Sequence, residues 1–594
     1  MNAPNANQNA ARSALKQAIW DQNPLFVRAA WFSLVSGLLM LAPSWFMLEV
    51  YGRVLNSRNI TTLLMLVIAV LGIYAVMELL EMVRARVLQR ASTNVDELLR
   101  VHLFDSSFQA NLRRPSAGHV QAFSDLKTLR DFIPCGAVTA CMDIPAALVF
   151  MALLFVISPW LGVMALVGAL LQVGLAAATE RRTMPLLSEA TTASIEANAF
   201  ASSALRNAPV VEAMGMLKNL HARWMSRQHR FLSRQSAASD YAGFTTVTAK
   251  LIQTMQSSLL LGAACWLALH NDLMGGLGMM IVASLLGARV LAPLGQLVAQ
   301  WRLVVGARDA WRRLESVFSL PQVINNAMPL PPPKGVLTVE NVVAGALGSS
   351  MPILRGVKFG LMPGEVLAVV GPSASGKTSL ARVLMGIWPA SAGKVRLDGV
   401  DVYTWNKTEL GPNVGYLPQN VELFDGTVAE NIARFGRVDT ALVEEAVQQA
   451  GIHEFIQTLP EGIDTRIGVD GANLSGGQRQ RIGLARAVYG QPQFIVLDEP
   501  NASLDEAGEA ALVKMLSQLK ARRATVVVIT HRTAILTSVD KLLVLADGQV
   551  AVFGPRDEAL AALKQANDQT RAKAAASAST GPSAPRVDSN RGAA

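Results

Sequence analysis

Five short stretches in the C-terminal half of the chain carry residues able to do chemistry together. In "VLAVVGPSASGKTSLARVL", the residues Gly371, Pro372, Ser373, Ala374, Ser375, Gly376, Lys377 and Thr378 lie between an apolar strand-like run and a helix-like segment. Glycines at both ends of such a loop let backbone N–H groups approach phosphate oxygens. Lys377 has the reach for β- and γ-phosphates, and the Thr378 hydroxyl suits Mg²⁺. "QFIVLDEPNASLD" delivers Asp498 and Glu499 to the end of a second apolar strand, where ligands collect in open α/β sheets. Asp498 is an oxygen ligand for Mg²⁺, and Glu499 a general base for an attacking water. His531 closes "VVVITHR", and Gln419 in "VGYLPQN" offers an amide oxygen to the same metal. "LSGGQRQRIGLARA" reads as a small turn entering a basic helix, whose free N–H groups at Ser475, Gly476 and Gly477 make a second anion site.

These residues need a scaffold. Runs such as "EVLAVV", "FIVLDE" and "TVVVIT" alternate with helical segments from Val336 onward, the pattern of a mainly parallel sheet. Before them the composition is different. The 594 residues are 51% hydrophobic and 16% charged, with mean hydropathy +0.31. Soluble domains average about 25% charged residues. The net charge of +9 is explained by basic cytoplasmic loops of a membrane protein, without nucleic acid as a partner. Cys135, Cys141 and Cys265 have no disulfide or metal-ligand spacing.

Charge-free runs mark the membrane. Residues 29–48 and 59–77 are each about one bilayer long. Residues 144–179 form two spans joined at Ser158-Pro159-Trp160, and 251–269 and 273–288 a further pair, six in all. The turns near 158–160 and 270–272 lack Lys and Arg, although the 49–58 turn holds Arg53 and Arg58. The long connections after the second and fourth spans are rich in arginine, so they and both termini are cytoplasmic. Each connection reads as two antiparallel helical legs reaching some 45 Å past the membrane. Arg289 in the sixth span and Asp143 in the third read as snorkelling side chains. The expected organisation is an N-terminal cytoplasmic segment 1–24, a six-span domain 25–320, a Pro-rich linker 321–335, an α/β P-loop domain 336–562 and a low-complexity tail 563–594.

Taken in order, "GPSASGKT", "LPQ", "LSGGQ", "IVLDEP", "SLD" and "THR" resemble the nucleotide-binding domain of an ABC transporter, and with six preceding spans the chain resembles an ABC exporter half-transporter. The resemblance implies ATP and Mg²⁺ as cofactors and a homodimer. In it, Ser475, Gly476, Gly477 and Gln478 of one copy, with Asp505 of "SLD", complete the ATP site built on the other's P-loop. "LEVYGRVLNSRN", "SPWLG" and "AGIHEFIQTLPEGIDTRIG" are similar to type I secretion ATPases that export proteases, lipases and RTX-type proteins. That likeness implies an inner-membrane location amid lipid, a membrane-fusion adaptor, an outer-membrane exit duct and a secreted protein with an uncleaved C-terminal signal. The short N-terminus leaves no room for the peptidase domain of bacteriocin exporters. An exporter of lipid or small amphiphiles is the alternative. Two departures from the pattern stand out. The segment 336–371 offers only Phe359 to stack on adenine, and Val469 replaces the acidic residue expected before LSGGQ, with Asp470 beside it.

Overall fold

A computed structural model describes residues 15–113, 118–270, 273, 277–319, 329–347, 351–468, 471 and 473–565. Much of the expected terminal segment, linker and tail, together with Val469 and Asp470, lies outside the described residues. The chain divides into two compact units, Met1–Gln322 and Val323–Ala594.

In the first unit six helices are long and apolar enough to cross a membrane: Asn23–Ser57, Ile60–Leu112, Gln121–Ile157, Pro159–Arg206, Leu217–Leu269 and Gly278–Ala299. They coincide with the six charge-free runs, but most are far longer. Helix α1 (Ile60–Arg113) has 54 residues, α2 (Pro159–Arg206) 48 and α3 (Leu217–Leu269) 53. Crossing the hydrocarbon takes about 20 residues. The remainder of each, about 30 residues, continues as a helical leg of roughly 45 Å. Lack of charge marks only the lipid-embedded part; the backbone hydrogen-bond ladder carries the helix on into water. Legs α2 and α3 are stitched side by side. Arg182 lies over the Tyr241 ring at 5.4 Å, Arg227 over Phe200 at 4.2 Å, and Arg234 pairs with Glu189 at 3.1 Å.

Asp143 is not a solitary snorkelling group. The Arg84 guanidinium donates to Asp143 at 2.9 Å and to the Ser33 hydroxyl at 2.7 Å, and Ser33 donates to Asp143 at 2.6 Å. One ion pair thus ties the first three spans together, with Ser33 fully buried. Arg289 is exposed, and its Nη1 lies 3.4 Å from the Met40 sulfur.

Among the described residues the second unit holds two large sheets and a two-stranded antiparallel ribbon, Gly426–Thr427 with Arg466–Ile467. The first is a four-stranded antiparallel sheet in the order β2-β1-β4-β5, built from β1 (Leu337–Gly345), β2 (Pro352–Leu361), β4 (Ala392–Leu397) and β5 (Val400–Asp401). No sequence run announced it, because half-exposed strands lack the unbroken apolar signal. The second has six strands: β3 (Val366–Val370), β6 (Val414–Leu417), β7 (Phe494–Asp498), β8 (Thr525–Ile529), β9 (Lys541–Ala546) and β10 (Gln549–Pro555). Their order is β10-β9-β3-β8-β7-β6, parallel except for the β9–β10 edge hairpin. Central strands are buried on both faces, which is why they read as continuous aliphatic runs. Val366 and Ala368 face one core, Leu367 and Val369 the other, and β8 divides in the same way. Each such buried aliphatic contributes about 1.5–3 kcal/mol, so this sheet is the rigid part of the unit. Phe359 is 5% exposed and packs on Phe553, a core residue rather than an adenine platform.

Asp143→Ala leaves the Arg84 guanidinium half-buried and unpaired. It is expected to destabilise the spanning unit by about 3 kcal/mol, whereas the apolar pair Arg84→Met with Asp143→Leu recovers most of that loss. Thermal unfolding of the three variants in one detergent checks both.

Candidate nucleotide-phosphate site

Four parallel strands end on one edge, and each end carries a residue singled out from the sequence. Beyond β3 lies the loop 371–376, entering helix α4 (Lys377–Leu384). Gly376 sits at φ 100°, in the left-handed region, and a Cβ there would touch Leu354 at 3.0 Å. A Cβ on Gly371 would meet the Leu545 carbonyl oxygen at 2.1 Å. Pro372, Ser373 and Ala374 form the exposed crown of the loop, Ala374 at φ 65°. The Lys377 ammonium folds back to donate to the carbonyls of Gly371 at 3.0 Å and Pro372 at 2.8 Å. Burial lowers its pKa, and the neighbouring Glu499 and Asp498 carboxylates partly restore it.

Asp498 ends β7 and is 0% exposed. The Thr378 hydroxyl is close enough to pull its pKa down, yet neither carboxylate oxygen has a donor in good hydrogen-bond geometry. Burial dominates and raises the pKa, helped by Glu499 and opposed by Thr378, Arg382 and Lys377. The Ser375 hydroxyl is likewise buried and unpartnered. A buried carboxylate and a buried hydroxyl without partners are what a cation held on phosphate oxygens would satisfy. No cluster of three or more His, Cys, Asp or Glu fit for a metal occurs among the described residues. Mg²⁺ would therefore be held by Thr378, Asp498 and Gln419 together with the phosphates themselves, the usual habit of this ion.

Glu499 occupies φ 51°, sparsely populated for a non-glycine residue. Its N–H donates to the Ile529 carbonyl at 2.9 Å, which locks the turn to β8. Gln419, just past β6, donates its amide to Glu499 Oε2 at 3.1 Å, while His531, just past β8, places Nε2 3.7 Å from Oε1. One carboxylate oxygen is thus hydrogen-bonded by Gln419, and the other faces the His531 imidazole beside the phosphate loop.

The LSGGQ turn is built differently. Ser475 caps helix α5 (Gly476–Val488), its hydroxyl accepting from the Gln478 N–H at 3.2 Å while the Gln478 amide oxygen accepts from the Ser475 N–H at 2.8 Å. Gln478 is engaged in this reciprocal cap. The N–H groups of Gly476 and Gly477 have no acceptor among the described residues. A Cβ on Gly477 would strike the Ser503 carbonyl oxygen at 2.7 Å, so only glycine fits there. Asp505 caps helix α6 (Glu506–Ala521) through the Gly508 N–H at 2.9 Å and pairs with Arg481 of α5. The Gly508 bond is the first cause of its lowered pKa, Arg481 the next. Its carboxylate thus fixes LSGGQ to the strand end, and no hydrogen bond links it to Glu499 among the described residues.

Three contributors escaped sequence reasoning. Gln480, two residues past Gln478, donates to the Glu499 carbonyl at 3.1 Å and joins α5 to the acidic turn. Arg382, in α4, lies near enough to Tyr416 and Asp498 for its positive charge to favour their ionised forms. Arg434, at φ 57°, donates to the carbonyls of Gly411, Val414, Arg486 and Tyr489 beneath the Gln419 segment. Only tertiary contact gives these residues meaning; no local motif marks them.

The family model for the ABC transporter transmembrane region matches residues 27–288, and that for the ABC transporter matches 354–502. The type I secretion system ATP-binding protein PrsD of Rhizobium meliloti is 37% identical over 545 residues, which is 91% of this chain and 93% of that protein. The cyclolysin secretion/processing ATP-binding protein CyaB of Bordetella pertussis is 28% identical over 89% of this chain and 75% of its own length. An ATP-dependent lipid A-core flippase of Xanthomonas campestris is 34% identical over 54% of each chain. A solved bacterial Atm1-family ABC exporter with ATP bound superposes with a TM-score of 0.81, covering 95% of this chain and 99% of its own at 22% identity, a likeness of fold.

Asp498→Asn removes a buried charge while keeping its shape. The raised pKa of Asp498 means that its ionised form opposes folding at neutral pH, a cost that disappears as pH falls toward the ordinary value of 3.8. The nucleotide-free variant is expected to be more stable than wild type at neutral pH and no more stable in acid, and to lose Mg²⁺-dependent nucleotide affinity. Thermal unfolding across that pH range, with and without Mg²⁺ and nucleotide, reads both effects.

Proposed function

This chain belongs to the ABC transporters, combining a transmembrane and an ATPase domain, and from that premise we propose that it drives export of a protein across the inner membrane as the ATP-binding component of a type I secretion system. The carrying observation is the extent of similarity. The type I secretion relative matches 91% of this chain, whereas the lipid A-core flippase matches 54%. A membrane-fusion adaptor and an outer-membrane duct follow from the same reading, as does a cargo of the protease, lipase or RTX kind with an uncleaved C-terminal signal.

In the proposed cycle the loop N–H groups and Lys377 bind the ATP phosphates, the ammonium exchanging the carbonyls of Gly371 and Pro372 for phosphate oxygens. Mg²⁺ bound at Thr378, Asp498 and Gln419 would neutralise charge on those phosphates. The unclaimed N–H groups of Gly476 and Gly477 need an anion, and the glycines face Ser503 of their own chain. A second copy of the chain would supply that phosphate, so that two ATPs sit between two copies. Closure on ATP then becomes a population shift passed to the spans. Glu499 takes the proton from the attacking water, Gln419 and His531 hold its carboxylate in place, and His531 supports the γ-phosphate.

Glu499→Gln is expected to lower turnover by at least a hundredfold while ATP still traps paired copies; near-normal turnover would discard this base. Export is tested by deleting the gene and comparing secreted proteins with the parent strain. Loss of one or a few large proteins is the expected result, and an unchanged secreted set with altered envelope lipid would support the lipid reading.

A further inference from the structure

The lower part of α3 carries Lys218, Arg223, Arg227, Arg230 and Arg234, while its only acidic residue from Leu217 to Lys250 is Asp240. The spacing of 4, 3 and 4 between the arginines puts all four on one stripe of the helix. Two are engaged with the neighbouring leg: Arg227 lies over Phe200 and Arg234 pairs with Glu189. Arg223 and Arg230 are exposed and make no ion pair among the described residues. Arg230 also borders a shallow depression with His221, Met225 and His229.

Two ordinary explanations fail on distance. Counting about 20 residues of hydrocarbon back from Leu269 puts the membrane boundary near Lys250. Arg230 then lies about 20 residues beyond it and Arg223 about 27, at or past the window in which arginines set topology. At 1.5 Å per residue they stand roughly 30–40 Å below the bilayer, whereas headgroup charge fades within about 8 Å at physiological salt. Neither membrane insertion nor anionic lipid requires these charges.

We propose that this arginine stripe is a docking surface for an acidic, unfolded segment of the exported protein. The inference rests on the protein-export reading and gives its cargo a chemistry. Arg227 and Arg234, fixed by Phe200 and Glu189, hold the helix face in register, and Arg223 and Arg230 present free guanidinium groups to carboxylates. A helical row of cations is read by charge spacing rather than by a fixed sequence, so one stripe accepts an extended chain as it slides.

The test uses the full chain in zwitterionic lipid nanodiscs and a fluorescent, unfolded, glutamate-rich peptide of thirty residues, with a Gly/Ser peptide as control. Wild type is expected to bind the acidic peptide at least tenfold more tightly than the control, and the preference should collapse as salt is raised. Arg223→Glu with Arg230→Glu should weaken binding at least tenfold, with basal ATP hydrolysis within twofold of wild type. Arg223→Gln with Arg230→Gln should lie between. Equal binding of both peptides, unchanged affinity after charge reversal, tighter binding of an oligonucleotide of matched charge, or an effect of reversal on pairing of the copies instead of on the peptide would each overturn the proposal. The deletion strain's secreted proteins test export separately, so peptide binding can fail while export stands, and export can fail while peptide binding stands.

Discussion

The proposed chemistry of this chain depends on how one carboxylate is held. Glu499 is fixed in a left-handed backbone conformation by its N–H bond to Ile529, with Gln419 on one oxygen and His531 facing the other. A strained residue persists only where its surroundings over-determine it. Here the surroundings are β6, β7 and β8, three neighbouring parallel strands whose side chains fill two cores. The rigidity of the sheet is thus what keeps a carboxylate, an amide and an imidazole together beside the 371–376 loop.

Next to that ordered cluster stand groups that the protein leaves unsatisfied. Asp498 and Ser375 are buried without partners among the described residues, while Lys377 is satisfied by two carbonyls of its own loop. In the proposed cycle the burial of Asp498 and Ser375 is a cost that bound phosphate and cation would relieve. The Gly476 and Gly477 N–H groups belong to the same logic, but they sit on a helix anchored through Asp505 and Ser503. Binding energy stored in two separate half-sites can be released only by bringing two half-sites together, which is how nucleotide would shift the population of paired copies.

Much of this was legible in the sequence because the signals were local. A phosphate loop is set by glycines at fixed spacing, and a span by absence of charge over about 20 residues. The strand ends carrying Asp498, Glu499 and His531 could be read from unbroken aliphatic runs. Long-range contact was not legible. Nothing near Asp143 announces Arg84 or Ser33 on other helices, and nothing in "SLD" says that Asp505 grips Arg481. Gln478 looked like part of an anion site, yet its side chain closes a cap on Ser475. The helices overran their charge-free windows because hydrogen bonding along a helix does not stop at the lipid boundary.

The central claim is that each copy completes the other's reaction centre. It is tested most directly by mixing two inactive chains in one membrane, one carrying Lys377→Ala and the other Ser475→Arg. If the half-sites are shared, mixed pairs gather both defects in one site and leave the other whole, so turnover returns to as much as about a quarter of wild type. If each chain holds a finished site of its own, every site in the mixture is damaged, and turnover stays at the level of the separate variants.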